Sequence, residues 1–354
     1  MITPADEIDE EVSEENSEEV LPFKYSITSY GADYPVDGLV KRLKNNDISI
    51  PTFQRSFIWT LPQASRFVES LLLGLPVPGI FLSKEQNSQK LLVIDGQQRL
   101  KTLLYFYDGI FSDSGKGFGL KGVQPQFENL TYKTLEEEDR RRLDDSIIHA
   151  TIIKQDEPSD KYSSSVYHVF ERLNTGGTQL QAQEIRASIY SGEFSDLLKK
   201  LNEDKSWRSL YGPESKRMRD QELILRFLAL HFKYNEYRKP MIEFLNSYMS
   251  VNRHLQKKSA KDFEEVFLPT VKIIKDNIGE AAFRPKKNIN AAVLDAVMVG
   301  LSKKLFKGRS KLAKLSEQYQ ALIKDEIFIM ATETATTDEE NVKKRITQAI
   351  RFFS

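Results

Sequence analysis

The residues of this 354-residue chain best suited to chemistry lie in one run, Leu92-Val93-Ile94-Asp95-Gly96-Gln97-Gln98-Arg99-Leu100-Lys101-Thr102-Leu103. Four apolar residues, Leu91–Ile94, read as a buried strand, and Leu100–Tyr107 reads as an amphipathic helix. A glycine between them lets a ligand approach the backbone closely. The first amides of a helix lack carbonyl partners and carry partial positive charge, so the junction is a ready anion site. Arg99 stands one turn in and can grip phosphate in a bidentate way. Asp95 can hold a divalent cation or orient a water, and Gln97 and Gln98 supply neutral donors and acceptors. The alternative is that Asp95 only caps the helix and both glutamines are solvated. Two adjacent glutamines between glycine and arginine at such a junction are hard to explain as a cap alone.

Two further segments carry polar groups between apolar anchors. In Ile50-Pro51-Thr52-Phe53-Gln54-Arg55-Ser56-Phe57-Ile58-Trp59, proline favours an extended path, and Phe53, Phe57 and Trp59 would fix the loop. Gln54 and Arg55 would then be held in a defined direction, or else face solvent from an edge strand. In Phe170–Leu180, Gly176-Gly177 ends one helix and Thr178-Gln179-Leu180-Gln181 caps the next. Asn174, Thr175 and Thr178 flank this second set of helix-start amides and could close over a ligand held by the first cluster.

Together the three segments resemble the ParB-like, DGQQR-motif N-terminal domain of GmrSD-type type IV restriction systems. The signature stands intact at Asp95–Arg99, the proline-aromatic-Gln-Arg-aromatic-Trp segment at Pro51–Trp59, and Arg-Leu-Asn-Thr-Gly-Gly-Thr-x-Leu at Arg172–Leu180. The resemblance covers residues 35–190. It implies a ParB/sulfiredoxin-like α+β fold that binds a nucleoside triphosphate, with Gly96-Gln97-Gln98-Arg99 as the phosphate-gripping turn. It also implies a link to nucleotide hydrolysis, to sensing of modified phage DNA, and a prokaryotic or phage-related source. Two-part members add an HNH nuclease domain, which needs clustered histidines. This chain has only His149, His168, His231 and His254, well separated in sequence, so no HNH centre is expected.

The elements that must position these groups follow from capping and periodicity. Val36–Lys44 reads as a short amphipathic helix. Thr60-Leu61-Pro62-Gln63 is a capping box opening a helix that ends near Gly74. Pro76 and Pro78 impose an extended path into a strand at Gly79–Ser83. Gly109–Gly122, with five glycines, reads as a loop, mobile over Gly115–Gly119, and its spacing does not fit a P-loop. Thr134-Leu135-Glu136-Glu137 should cap a helix whose acid-then-base run Glu136–Arg142 is a solvated face. A strand at Ile147–Ile153 and a helix at Tyr162–Leu173 follow. From about residue 195 the pattern turns helical throughout: Arg219–Phe232, Pro240–Arg253, Ala260–Ile278, Ala291–Phe306, Lys311–Met330, and Asp338–Phe352 capped at Thr337-Asp338-Glu339-Glu340. The expected organisation is an acidic disordered tail (1–22), a nucleotide-binding α+β domain (23–195) and an all-helical domain (196–354).

Composition narrows the classes. There are 51 basic and 51 acidic side chains, but residues 1–20 hold nine acids and no base, so the rest carries a net +9. That tail is either a solubilising extension or an electrostatic cover for a basic groove. Residues 284–311 hold eight bases against Asp295 alone. Arg284, Lys286, Lys287, Lys303, Lys304 and Lys307 are therefore candidates for DNA phosphate contacts, against a plain charged helical surface. With no cysteine there is no disulfide or thiolate metal site. No apolar run reaches the ~18 residues of a membrane span, and a cytoplasmic location is expected.

The resulting expectation is a Mg²⁺-dependent nucleoside triphosphatase that gates a defence response. Asp95, Gln98 and Arg99 would do the chemistry, with Asp95 as metal ligand. Gln54, Arg55, Gly96, Gln97, Thr102, Asn174, Thr175 and Gly176 would complete the nucleotide site. Expected partners are nucleotide, modified DNA and a separate nuclease or effector subunit, with no membrane; a homo-oligomer is left open. The rival readings are a nucleotide- or DNA-binding module without turnover, and direct DNA cleavage by the ParB-like domain.

Overall fold

The change of pattern along the sequence corresponds to two kinds of packing. The computed structural model describes residues 27–50, 57–84, 90–112, 115–155, 165–173, 180–306 and 314–354. The expected acidic tail, Gln54, Arg55, Asn174, Thr175, Gly176, the Thr178 cap and Lys307 lie outside them. The described chain separates into a unit ending at Gln179 and a second one from Leu180 to Ser354.

The first unit is mixed α+β. Its sheet has the order β1-β7-β3-β4-β2, from β1 (Ile27–Pro35), β2 (Ile48–Ser49), β3 (Ile80–Lys84), β4 (Leu91–Asp95) and β7 (Ile147–Gln155). β3 lies antiparallel to β4 and parallel to β7, and β1 pairs antiparallel with β7. Four helices belong with it: α1 (Val36–Lys44), α2 (Leu61–Leu72), α3 (Gln97–Asp108) and α4 (Glu137–Asp145). Alternation along the strands sends Ile80, Leu82, Leu91, Val93, Ile148, Ala150 and Ile152 into one core with the apolar stripes of these helices. The other face carries Leu92, Ile94 and Ile153, also buried. There α5 (Ser165–Leu173) packs against β4 and β7 with Val166, Tyr167 and Phe170 buried. β4 is therefore apolar on both faces, which is why it reads as a continuous run.

Local signals place most of these elements. Thr60 and Gln63 form the reciprocal box at the start of α2. Gly109, at φ +75°, ends α3. Tyr107 at that end stacks on Tyr132 at 4.0 Å, and both hydroxyls donate to Asp144 of α4. The acid-then-base run makes exposed i,i+4 pairs, Arg141–Glu137 and Arg142–Glu138. Two expectations need correction, and one strand is new. Thr134 closes a turn with Thr131 instead of capping α4, which starts at Glu137 after an uncapped Glu136. The expected loop at Gly109–Gly122 contains a two-stranded ladder, β5 (Ile110–Phe111) with β6 (Lys116–Gly117), and buries Phe118 and Leu120. β1 has no counterpart in the sequence reading.

The second unit is helical. It comprises α6 (Ala182–Ile189), α7 (Glu193–Asn202), α8 (Lys205–Tyr211), α9 (Arg219–Lys233), α10 (Met241–Asn252), α11 (Ala260–Asn277), α12 (Ala291–Phe306), α13 (Leu315–Leu322), α14 (Glu326–Glu333) and α15 (Glu339–Phe353). Helix α6 packs on α9 and α10, so the packing division falls at 179/180, ahead of the pattern change near 195. Gln181 and Glu184 form its capping box. The single helix expected over Lys311–Met330 is two, because Asp325 caps α14 by accepting from the Phe328 amide at 2.9 Å. Among the described residues no helix is long and apolar enough to cross a membrane.

Candidate functional site

The site is built where β4 becomes α3. The pairing of β4 with β3 slips by one residue, from Leu82↔Val93 to Phe81↔Asp95. Such a bulge bends the strand and re-aims the side chain that follows. Gly96 then turns the chain at φ +103°. A Cβ there would lie 2.4 Å from Ile80 Cγ2 and 2.9 Å from Ile80 Cβ, so glycine is required for space as well as for backbone angle. The outcome is a helix whose first turn bears no acid and whose N-cap has no side-chain acceptor.

Asp95 therefore does not cap α3, which removes the simplest structural explanation for it. One of its carboxylate oxygens pairs with Arg99 Nη2 at 2.7 Å, and the side chain stays 49% exposed. Arg99 is drawn in, to 14% exposure. Its Nη1 donates to Pro78 O at 2.6 Å and to Gly79 O. A guanidinium has five N–H donors. Three face these partners, leaving Nε–H and one Nη2–H without a partner among the described residues. The arginine is thus held by two backbone carbonyls at the entry to β3, with part of its fork still available. Pro78 and Gly79 were not singled out from the sequence; the signal for them was the extended path forced by Pro76 and Pro78.

Gln98 is not solvated either. Its Oε1 accepts from the Ile58 amide at 3.0 Å and the Trp59 amide at 3.3 Å. This bond brings the end of the Pro51–Trp59 segment to the Asp95–Arg99 turn. Phe57 packs edge-on against Tyr105 and Phe111 at 5.1 and 5.5 Å, and Trp59 against Phe67 at 5.7 Å, the anchoring role expected of them. The oxygen of Gln98 is occupied, so only its amide nitrogen remains for a ligand. Gln97 lies partly exposed in the same turn. Thr102 is fully buried and its hydroxyl has no hydrogen-bond partner among the described residues, which places it away from the open turn.

The donor set decides what metal chemistry fits. Among the described residues no group of three or more His, Cys, Asp or Glu could hold a metal ion. His149 pairs with Asp33, His168 with Glu171, and His231 with Ser302, so the histidines do not cluster. A lone carboxylate suits Mg²⁺ that arrives with phosphates, because that ion is commonly bound through one or two carboxylates plus substrate oxygens. Asp95, with one oxygen outside its ion pair, fits that description.

The basic residues of the helical unit are largely committed. Arg284 donates to Leu210 O at 2.5 Å and Tyr211 O at 2.6 Å, and burial lowers its pKa. Lys304 is buried against Gln318, and desolvation lowers its pKa too. Lys286 pairs with Glu333 at 2.9 Å, and Lys303 lies 5.9 Å from the centre of the Tyr234 ring. Lys287 is exposed. Asp295, the single acid of that stretch, is fully buried between Arg226 at 2.8 Å and Arg345 at 3.0 Å. This ion triad joins α9, α12 and α15, and no local signal in the residue pattern points to it.

Comparison with known proteins addresses the segment that holds the turn. Residues 36–191 match the GmrSD restriction endonuclease, N-terminal domain. The match spans β4, the turn and both flanking motif segments, as the resemblance implied, so this segment is similar to that domain. A 91-residue alignment is 31% identical to an uncharacterized protein of Methanocaldococcus jannaschii, covering 19% of this chain and 16% of that protein.

Proposed function

We propose that the Asp95–Arg99 turn of this GmrSD-like domain binds and hydrolyses a nucleoside triphosphate, and that the nucleotide state is coupled to recognition of DNA or of a partner. The observation that carries this reading is the uncapped, acid-free first turn of α3, with the Arg99 guanidinium fixed beside it. A polyanion at that turn would meet helix-start amides, the helix dipole and two N–H groups of Arg99. The Nε2 of Gln98 adds a neutral donor. Asp95 would hold Mg²⁺ through its second oxygen, and the ion would supply charge neutralisation on the phosphates. Phosphoryl transfer asks mainly for positioning and charge stabilisation, which this arrangement can provide. Gln54, Arg55, Asn174, Thr175 and Gly176 are proposed to complete the pocket.

Binding without turnover is the second reading. It is favoured by one observation: the oxygen of Gln98 and one oxygen of Asp95 are already engaged, which leaves little to activate a water. In either case cleavage of DNA would belong to a separate nuclease or effector subunit, acting on modified phage DNA in a prokaryotic cytoplasm. Phosphate release from the four common nucleoside triphosphates with Mg²⁺, for wild type and Arg99→Ala, tests the proposal. Release that falls at least tenfold in the variant supports hydrolysis at this turn. Equal rates in both proteins remove it.

A further inference from the structure

A second basic surface lies in the helical unit, where three elements meet. Helix α9 ends at Lys233 and runs into a short turn, Tyr234–Glu236. His231, in the last turn of α9, has Nδ1 2.7 Å from Ser302 Oγ, which sets this end beside the last turns of α12. Phe232 packs edge-on against Phe263 at 5.5 Å, which sets it beside the start of α11. His231, Ser302 and Phe263 are buried and Phe232 is half-buried, so packing fixes the junction.

Lysines gather at that junction. Lys258 Nζ lies 4.3 Å from the centre of the Phe232 ring, and Lys303 Nζ 5.9 Å from that of Tyr234. Lys257 adjoins Lys258 and is exposed. Burial first, then Lys303 and Lys258, hold the His231 imidazole well below its ordinary pKa, so both ammoniums act on one ring. Among the described residues Lys257 and Lys258 form no ion pair. The acids of these segments are committed. Glu236 pairs with Lys233, Glu264 with Lys200 and Glu265 with Lys261. Asp262 accepts from the Ser259 amide at 2.7 Å and hydroxyl at 2.8 Å, which closes the α11 cap. The helix dipole alone explains a lysine at a C-terminal end, such as Lys303. It does not explain Lys257 and Lys258, which stand just before the N-cap Ser259, at the positive end of α11. Like charges gathered there raise the free energy of the unbound protein, and a polyanion relieves it.

We propose that Lys257, Lys258 and Lys303 form the surface by which the helical unit meets the phosphate backbone of DNA. This rests on the DNA reading above. It takes the place that the sequence run gave to Arg284, Lys286 and Lys304, which the fold commits elsewhere. The cations of the surface are all lysine. Carboxylates favour the bidentate fork of arginine, whereas lysine grips phosphate as a point charge. Arg253, in the segment that leads to Lys257, is committed to Ser191 O at 2.7 Å. Phosphate contacts position a duplex without reading its bases, so recognition of sequence or modification falls to other residues.

Fluorescence anisotropy of the full chain with a labelled DNA duplex, over a series of salt concentrations, tests the surface. Each phosphate contact contributes about 0.9 to the slope of log affinity against log salt. Replacing Lys257, Lys258 and Lys303 together by glutamine should lower that slope by about 2–3 and weaken binding about tenfold or more at the same salt. Lys257→Gln alone, at an exposed position with no ion pair to lose, should lower the slope by about 1 and keep the wild-type melting temperature. A control variant with Lys286→Gln and Lys287→Gln should bind as wild type does. DNA bound with the wild-type slope by both patch variants overturns the surface and leaves the DNA reading standing. A slope that falls in the control instead moves the contact elsewhere and overturns it too. Polyglutamate that competes as well as unlabelled DNA of equal charge overturns DNA as the occupant. Absence of DNA binding by wild type overturns both the surface and the DNA reading.

Discussion

Replacing Gly96 by alanine should damage the turn in two separable ways. The backbone at φ +103° is outside the regions an L-residue prefers, which costs about 1–3 kcal/mol. The new Cβ would also meet Ile80, a residue 1% exposed, at 2.4 Å from Cγ2 and 3.5 Å from Cα. Overpacking of that kind adds about 1–3 kcal/mol. The sum, about 2–4 kcal/mol after partial relaxation, is a large share of the ~5–15 kcal/mol that holds a domain folded. Only the second part should respond to space. In an Ile80→Ala background, Gly96→Ala should therefore cost about 1–2 kcal/mol less than in wild type, while the backbone part persists. Because the chain has two units, whole-molecule unfolding would mix their transitions. Native-state hydrogen exchange at the amides of β3 and β4 reports this unit by itself. A single variant within 0.5 kcal/mol of wild type by this measure, or a cost unchanged by Ile80→Ala, would refute the steric and conformational argument.

Other perturbations give different signatures. Arg99→Ala removes the bonds to Pro78 O, Gly79 O and Asp95 and should destabilise the first unit by about 1–3 kcal/mol, read by the same exchange experiment; Arg99→Lys should recover only part, since one ammonium cannot span those partners. Gln98→Leu frees the Ile58 and Trp59 amides and should speed their exchange, while Gln98→Glu, which keeps the acceptor, should not. His231, buried with Nδ1 2.7 Å from Ser302 Oγ, has its pKa lowered to about 3 by desolvation first, then by Lys303 and Lys258. The unfolded chain takes up that proton near pH 6.5 and the fold resists it. The helical unit should thus lose stability as pH falls from about 6.5 toward 3, by about 2 kcal/mol at pH 5; His231→Asn, scanned by thermal unfolding against pH, should flatten that slope. Arg284→Ala should lower the melting temperature of the helical unit through the bonds to Leu210 and Tyr211, while Lys287→Ala should leave it unchanged.

Much of the site was legible because its signals are local. Thr60 with Gln63, proline near the start of α2 and the apolar run at Leu91–Ile94 each fix an element within a few residues of themselves. Glycine between Asp95 and Gln97 marked a place of close backbone approach, and its φ of +103° is what the structure adds. The partners of Arg99 and Gln98 were not legible, because Pro78, Gly79, Ile58 and Trp59 are 20 to 40 residues away and contribute backbone atoms, which leave no mark in residue type. Strand β1 was missed for another reason. It is mostly exposed along its length, so it lacks the alternation that marks a half-buried strand. The basic stretch around Arg284–Lys304 shows the limit from the other side. Charge is visible in a sequence, but whether a guanidinium faces solvent or caps buried carbonyls is decided by tertiary contacts. Asp295 shows the same limit, since its two arginines come from helices far apart in the chain.

The central claim is that the amides opening α3 form the cradle for phosphates. The direct measurement is residue-resolved hydrogen exchange at Gln97, Gln98 and Arg99 with and without a non-hydrolysable nucleoside triphosphate and Mg²⁺. Slowed exchange at these three amides, lost in Arg99→Ala, is the predicted result. Saturating nucleotide that leaves them unchanged while protecting another part of the chain would contradict it.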